Sequence, residues 1–306
     1  AVGTAGSTGG TWALGGALES PVTPALTERN TVWIKSGSYA VSTGLSYPAE
    51  TTAQGYYATR GDTPSVAQLP QLKANADGIT LLKFTAERAK ARYIGVDGNG
   101  HSNVVGIKSG PNGYVYKSAA KSCYRGFSAG VIIESVAELC SSCHYYGCTT
   151  FDCYALGNGV GTAIGAEDGS HCNLVCANIP SYGVVVNGDS RIINCVFHAI
   201  GASAIRRAVG FPVIVVVNSV FSNVSGYAVS NSAGSMYVEL RCNAVYNCSS
   251  GSAYPGLPVG CDTPIALSAS PFVDAANGDF RLNNTAGGGA RCRAAGIGPA
   301  GQTNAI

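Results

Sequence analysis

Between residues 170 and 251 one pattern is written several times in succession, and no other feature restricts the fold of this chain as tightly. Its clearest copies are Ile193-Asn194-Cys195-Val196-Phe197 and Val217-Asn218-Ser219-Val220-Phe221, 24 residues apart. Each leads through a Gly to a second short apolar run, Ala204-Ile205 in one and Ala228-Val229 in the other. Looser copies flank them: Leu174-Val175-Cys176-Ala177 leading to Gly183-Val184-Val185-Val186, and Glu239-Leu240-Arg241-Cys242 leading to Tyr246-Asn247-Cys248. What repeats is a run of four to six residues rich in Val, Ile, Cys and Phe, then Asn, Ser or Gly, then another run, with no helical spacing. These are strands broken by turns.

A period of about 20 to 24 residues marks a solenoid, whose units bury their apolar faces only by stacking on their neighbours. Leucine-rich repeats share the period but need a lattice of Leu, and this segment has Leu only at 174 and 240. The pattern therefore predicts an all-β chain, a parallel β-helix. With 41 Gly and only 12% charged residues, the composition describes many tight turns and a weakly charged surface. About seven coils are expected from Lys117 onward, roughly 34 Å of height at about 4.8 Å per coil.

On these residues the chain resembles the right-handed parallel β-helix proteins, which include pectate lyases, polygalacturonases and phage tailspikes. The resemblance covers residues 31–293. Its flanks look like an uncharacterised secreted or virion-associated subset: Thr31-Val32-Trp33-Ile34-Lys35-Ser36-Gly37-Ser38-Tyr39 resembles the opening strand, and Pro271-Phe272-Val273-Asp274-Ala275-Ala276-Asn277-Gly278-Asp279-Phe280-Arg281-Leu282 the closing segment. In that subset the opening strand follows Gly-Asp, whereas here it follows Arg29-Asn30. The resemblance implies a right-handed solenoid with an irregular N-terminal cap and a wrapped C-terminal tail.

Along the chain this gives a flexible N-terminal arm and cap over residues 1–30, the β-helix over 31–251 and a tail over 252–306 that packs back on its outside. Trp12, Leu14, Ala17 and Leu18 stand at helical spacing, so a short helix is expected to plug the open end of the coil. Residues 46–70 read as a long excursion carrying Arg60-Gly61-Asp62, which is taken as a polar turn. Residues 79–84 and 92–96 read as strands, the second ending in the turn Asp97-Gly98-Asn99-Gly100. The start at Ala1-Val2-Gly3 is consistent with a cleaved signal peptide.

The net charge of +2 gives no electrostatic reason to expect nucleic acid as a partner, and no run approaches the ~18 apolar residues of a membrane span. Charge is unevenly placed. Between residues 126 and 190 there is no Lys or Arg, while Glu134, Glu138, Asp152, Glu167, Asp168 and Asp189 are present; residues 1–125 hold 12 basic against 7 acidic side chains.

Cys153, Cys176, Cys195, Ser219 and Cys242 all fall at apolar strand positions, which predicts an internal ladder of thiols and one hydroxyl. Cys261 and Cys292 are the pair expected to form a disulfide outside it. Cys140-Ser141-Ser142-Cys143-His144 matches the attachment signature of c-type haem, and with Cys148 it could supply a zinc site; a packed coil leaves no room for a porphyrin, and zinc lacks a second paired set. For sugar chemistry, Glu167-Asp168 is the one adjacent acidic pair, with His171 after it, Asp152 and Asp189 about one coil to either side, and Arg206-Arg207 further on. These four carboxylates are the weak candidates for a calcium or polysaccharide-cleaving site. The Asn-Thr-Asp, Asp-Asp and Gly-His-Gly signatures of the polygalacturonases are absent, and acidic residues beside Gly commonly make turns. His101 and His198 have no Ser or Cys partner suggestive of nucleophilic catalysis. Asn223, Asn247 and Asn283 stand in glycosylation sequons.

The function expected is a non-catalytic structural protein, extracellular or on a virion surface, that forms a homo-oligomer, a polymer or part of a larger assembly and holds no cofactor. The alternative is a secreted polysaccharide-binding or polysaccharide-cleaving β-helix, with a glycan as partner and calcium as its ion.

Overall fold

The computed structural model describes residues 31–47, 50–85, 87–110, 112–128, 130–157, 162–165, 169–207, 213–231, 237–248 and 262–295. They form an all-β, parallel-strand solenoid of about nine turns. The expected arm and plug helix in residues 1–30 lie outside the described residues. The chain divides into two compact units, residues 1–149 and 150–306.

Three short strands make each turn of the first unit, as in Lys90–Arg92, Gly95–Asp97 and Val105–Lys108, and the next turn repeats them as Tyr114–Tyr116, Ala119–Lys121 and Arg125–Ser128. Each strand pairs in parallel with its counterpart one turn on: Tyr114 faces Lys90, Ala119 faces Gly95, Phe127 faces Ile107. Three sheets result, here termed the first, second and third faces. Alternate residues point inward, so Val32 and Ile34 are buried while Thr31, Trp33 and Lys35 are only partly covered. The corner between the first and second faces is sharp. Tyr93, Lys117 and Glu134 turn it with left-handed φ of 55°, 45° and 48°. Tyr93 thereby splits the single strand expected at 92–96 into two. The expected excursion is also shorter, because Thr52–Tyr56 pairs along its whole length with Thr31–Lys35 and belongs to the solenoid.

In the second unit the same plan holds. On the first face Thr150, His171, Ile192, Val216 and Leu240 stack inward. On the second face the inward column is Ala155, Cys176, Phe197 and Phe221, whose two rings lie 5.2 Å apart and nearly parallel. On the third, Ile164, Val184, Ile205 and Val229 follow one another. All of these side chains are buried.

The thiol ladder needs correction. Cys195 does lie against Ser219, whose Oγ accepts its backbone N–H at 3.2 Å. Cys176, however, is in register with Ala155 and Phe197, because one turn here takes 21 residues, Val175 to Val196, and the spacing of 19 to Cys195 misses by two. Cys242 stands at a corner with φ 51°, one residue ahead of the column. The column that the register defines runs Cys153, Leu174, Cys195, Ser219 and Asn243. Asn243 takes the place expected of Cys242: its Oδ1 accepts the Ser219 N–H at 2.9 Å and its Nδ2 donates to the Val216 carbonyl at 2.9 Å.

The C-terminal segment packs on the outer side of the second face in this unit. Ile265–Ala266 adds a parallel rung to Ala244–Tyr246. The hairpin Phe272–Asp274 with Asp279–Leu282 and the short helix Gly289–Ala295 then bury Phe272, Phe280 and Cys292 against Val175, Ala177, Val196, Val220 and Ala244. No disulfide links the described cysteines. Cys292 is a free thiol, and its expected partner Cys261 lies outside the described residues.

Candidate functional site

Asp152 and Asp189, the two acidic candidates among the described residues, do not converge. Asp152 closes the strand Thr149–Phe151 and Asp189 precedes the strand Ser190–Ile193, so they sit at opposite ends of the first face. By register Asp152 lies under Asn173 and then Asn194, five residues beyond Asp189. Five residues along and two turns up place their Cα atoms roughly 19 Å apart, and two Asp side chains are too short to close that to the roughly 5 to 9.5 Å between carboxylates that glycoside hydrolysis requires. Each is also engaged locally. Asp152 Oδ1 accepts from Asn173 Nδ2 at 2.8 Å, and Asp189 Oδ1 accepts the Val213 N–H at 2.8 Å. Glu167 and Asp168 lie outside the described residues. Arg206 and Arg207 do not act as a basic pair: the Arg206 guanidinium lies 4.6 Å over the Tyr182 ring, while the Arg207 side chain is buried.

Cys140, Cys143 and His144 are all buried. Cys140 Sγ points at the Glu138 carbonyl, 3.5 Å away, and burial raises its pKa well above the ordinary thiol value. Haem attachment needs two accessible sulfurs and an imidazole free to face iron, so this arrangement does not fit a porphyrin. Cys148 is buried too, and among the described residues no three His, Cys, Asp or Glu side chains converge on a common point. Thiols held protonated by burial, including Cys123 and Cys195 at about 12, are poor nucleophiles and poor ligands.

The remaining candidates are structural in their contacts. Asp62 of the Arg-Gly-Asp tripeptide accepts the backbone N–H groups of Tyr57, Ala58 and Thr59, which hold its carboxylate below the usual pKa. That carboxylate closes its own loop. His101 Nδ1 meets Asp77 Oδ1 at 3.2 Å at the surface. His198 Nδ1 reaches Ser222 Oγ at 3.4 Å with its ring against Phe272 and Phe280. Of the sequons, Asn283 is committed on both sides: Nδ2 donates to the carbonyls of Ser270 and Phe272, and Oδ1 accepts from Thr285 and Gly289.

What the sequence reading passed over is the role of the asparagines. Asp152, Asn173, Asn194 and Asn218 occupy successive corners with φ between 52° and 54°. Asn tolerates this left-handed conformation, and its amide bonds the turn below: Asn218 Nδ2 donates to Asn194 Oδ1 at 2.7 Å. A second column of left-handed corners runs through Asn178, Ala199, Asn223 and Asn247, where Asn247 Nδ2 donates to Asn223 Oδ1 at 2.8 Å. Stacked strands on three faces joined by columns of left-handed corners admit one description. The chain is a parallel β-helix.

No family model matches its sequence, and no curated protein does. Among solved structures, the catalytic domain of a GH87 α-1,3-glucanase variant in complex with tetrasaccharides is similar at TM-score 0.47 and 11% identity, over 88% of this chain and 70% of that one. ORF18 of Geobacillus virus E2 is similar at TM-score 0.44 and 10% identity, over 74% of this chain, and the match spans only 51% of the viral protein. The A-module of the Azotobacter vinelandii mannuronan C-5 epimerase AlgE6 gives TM-score 0.41 and 14% identity, over 79% and 91% of the two chains. At such identities the likeness concerns the fold alone.

The outer side of one face of the β-helix is rich in aromatic side chains, most of them partly exposed. On the first face of the first unit Trp33 meets Tyr56 edge-on at 6.2 Å, Tyr93 meets Tyr116 at 5.8 Å, and Lys117 Nζ stands 5.2 Å from the Tyr116 ring centre. Gln54, Arg92 and Tyr116 continue the outward column that Trp33 begins, beside the exposed Tyr114.

Proposed function

We propose that this chain is a non-catalytic structural protein, a β-helical subunit of an extracellular filament or of a virion fibre, spike or decoration. The observation that carries the reading is the separation of Asp152 from Asp189 and the engagement of each in holding adjacent turns together. Asp152 and Asp189 each hydrogen-bond the next turn, Asp152 from a left-handed corner. The test pairs electron microscopy of the purified protein with incubation on acidic polysaccharides, following release of new chain ends. Particles larger than one chain without release are expected. A strict monomer that degrades the polymer, and loses that ability in Asp168→Ala, would overturn the reading.

A second reading rests on the aromatic and basic first face of the first unit. Sugar rings stack on aromatic side chains while Arg, Lys and Gln bond their hydroxyls or carboxylates, and Trp33, Tyr114, Tyr116, Arg92 and Gln54 present that mixture on rungs about 4.8 Å apart. A glycan-contacting scaffold is compatible with the structural role. Trp33→Ala and Tyr116→Ala should each weaken retention in affinity electrophoresis through polysaccharide gels at least severalfold; retention equal to the native protein in both variants, or none in the native protein, would remove this reading.

A further inference from the structure

The outer side of the second face in the first unit carries a charge pattern that is complementary to its own reverse. Register places Lys73 over Asp97, Asp97 over Lys121 and Lys121 over Glu138, one column of alternating sign on four successive turns. The parallel column beside it is Gln71, Gly95, Ala119 and Val136. It is low: a Cβ at Gly95 would come within 2.2 Å of Gln71 Nε2, so the Gln71 amide lies flat across the glycine. Lys121 is exposed and the other three charged residues are partly so. None of the four joins an ion pair within 4.0 Å among the described residues. Asp97 Oδ1 accepts the Asn99 N–H at 2.8 Å, which leaves its second oxygen available.

Two copies of this surface can meet face to face about a two-fold axis lying in the interface, and the alternation chooses between the possible axes. An axis along the solenoid sets each turn against itself, Lys73 on Lys73 and Asp97 on Asp97, with four repulsions. An axis along the strands reverses the order of turns: Lys73 meets Glu138 and Asp97 meets Lys121, each pairing occurring twice. A slip of one turn restores like charges. We propose that this face joins two copies of the chain through a two-fold axis parallel to the strands, with the column of alternating charge fixing both orientation and register. The small residues beside it let the surfaces approach.

Four strands at about 4.8 Å and three residues at about 3.3 Å give a face of roughly 200 Å², well below the roughly 800 Å² per partner of a standard interface. Association through it is therefore weak and screened by salt, with a role where copies are already crowded together. The pairing does not depend on the proposed structural role.

The test uses charge-uniform variants. Lys73→Glu with Lys121→Glu makes the column wholly acidic; Asp97→Asn with Glu138→Lys makes it basic and keeps an oxygen at 97 for the Asn99 N–H. Sedimentation equilibrium of the native protein up to about 1 mM, at about 20 mM and 500 mM salt, should show a monomer–dimer equilibrium at least tenfold weaker at high salt. Each variant alone should be monomeric with a native circular dichroism spectrum, and an equimolar mixture should dimerise. A native protein monomeric throughout, or variants that self-associate as the native chain does, would overturn the proposal. A mixture that stays monomeric while both variants are folded would overturn it as well.

Discussion

His171 shows at the scale of one side chain how this core treats a group that can carry charge. It occupies an inward column among Thr150, Ile192 and Val216, fully buried, with Nδ1 3.0 Å from Thr150 Oγ1 and Nε2 without a partner among the described residues. Burial lowers its pKa from 6.5 to about 4. The sign follows from proton counting. Below pH 6.5 the unfolded chain takes up a proton that the folded chain refuses until about pH 4, so this residue's contribution to stability is complete above 6.5 and is lost as pH falls toward 4. A drop from pH 7 to pH 4.5 should cost about 2 to 3 kcal/mol through this residue alone. In urea unfolding at the two pH values, His171→Leu should lose that much less than the native protein; an equal loss in both would show that other groups govern the acid response. Ala199 presents the converse case. It holds φ 51° in a column whose other members, Asn178, Asn223 and Asn247, are all asparagine. A left-handed conformation costs an ordinary residue about 1 to 2 kcal/mol, and Asn tolerates it better. Ala199→Asn should therefore raise the melting temperature, by roughly 1 kcal/mol of added stability, and an unchanged or lowered midpoint would refute the argument.

Among the elements, the C-terminal hairpin is attached through a small cluster of buried side chains. Phe272 and Phe280 meet edge-on at 5.4 Å, and both contact the His198 ring on the second face. Truncating a buried Phe costs about 3 to 5 kcal/mol. Because the chain beyond the rung Ile265–Ala266 is held to the second face mainly by packing, Phe280→Ala should undock residues 268–295 before any turn of the solenoid opens. Hydrogen exchange followed by mass spectrometry should show faster exchange in 268–295 with the strands Val196–Ile200 and Val220–Val224 still protected; uniform acceleration through both would mean that segment and solenoid unfold together. The closing segment was legible as Pro271 to Leu282, and the repeat as short Val- and Ile-rich runs, because both are local. Columns were not, since which residue lies over which depends on the length of every turn. Ser118 and Ser135 are neighbours across 17 residues, Thr150 and His171 across 21, Cys195 and Ser219 across 24. Counting thiols at near-constant spacing placed Cys176 and Cys242 wrongly for that reason. The Asn corners escaped notice for the same reason, although Asn194 and Asn218 stand in the two clearest copies. Coil spacing, which puts Asp152 and Asp189 about one turn to either side of Glu167-Asp168, is legible in the sequence, but position along the strand is not, and it sets the two at opposite ends of one face.

For the molecule as a whole, stacking without long-range wiring has a consequence that a globular core would not share. Each turn of the second unit touches only its neighbours through the three faces, so stability is a sum of turns and of interfaces between them. One turn can then be removed if the cut respects register. Residues 173–193 are such a turn, since Cys172 faces Ile193 and the corner Asn173 lies under Asn194. Joining Cys172 to Asn194 lays Phe197 over Ala155 and Val216 over His171 in the inward columns and Val196 over Tyr154 on the outer side, and leaves Val196, Val220 and Ala244 beneath the C-terminal hairpin. The shortened chain should fold, with the circular dichroism of a β-sheet protein, cooperative melting and a lower midpoint. Removing residues 184–193 alone takes out the third-face strand Val184–Val186 and the first-face strand Ser190–Ile193 and joins the second face straight to the next corner, and that chain should not melt cooperatively. If both deletions behaved alike, the turns could not be independent units, and stability would have to reside in contacts that cross more than one rung.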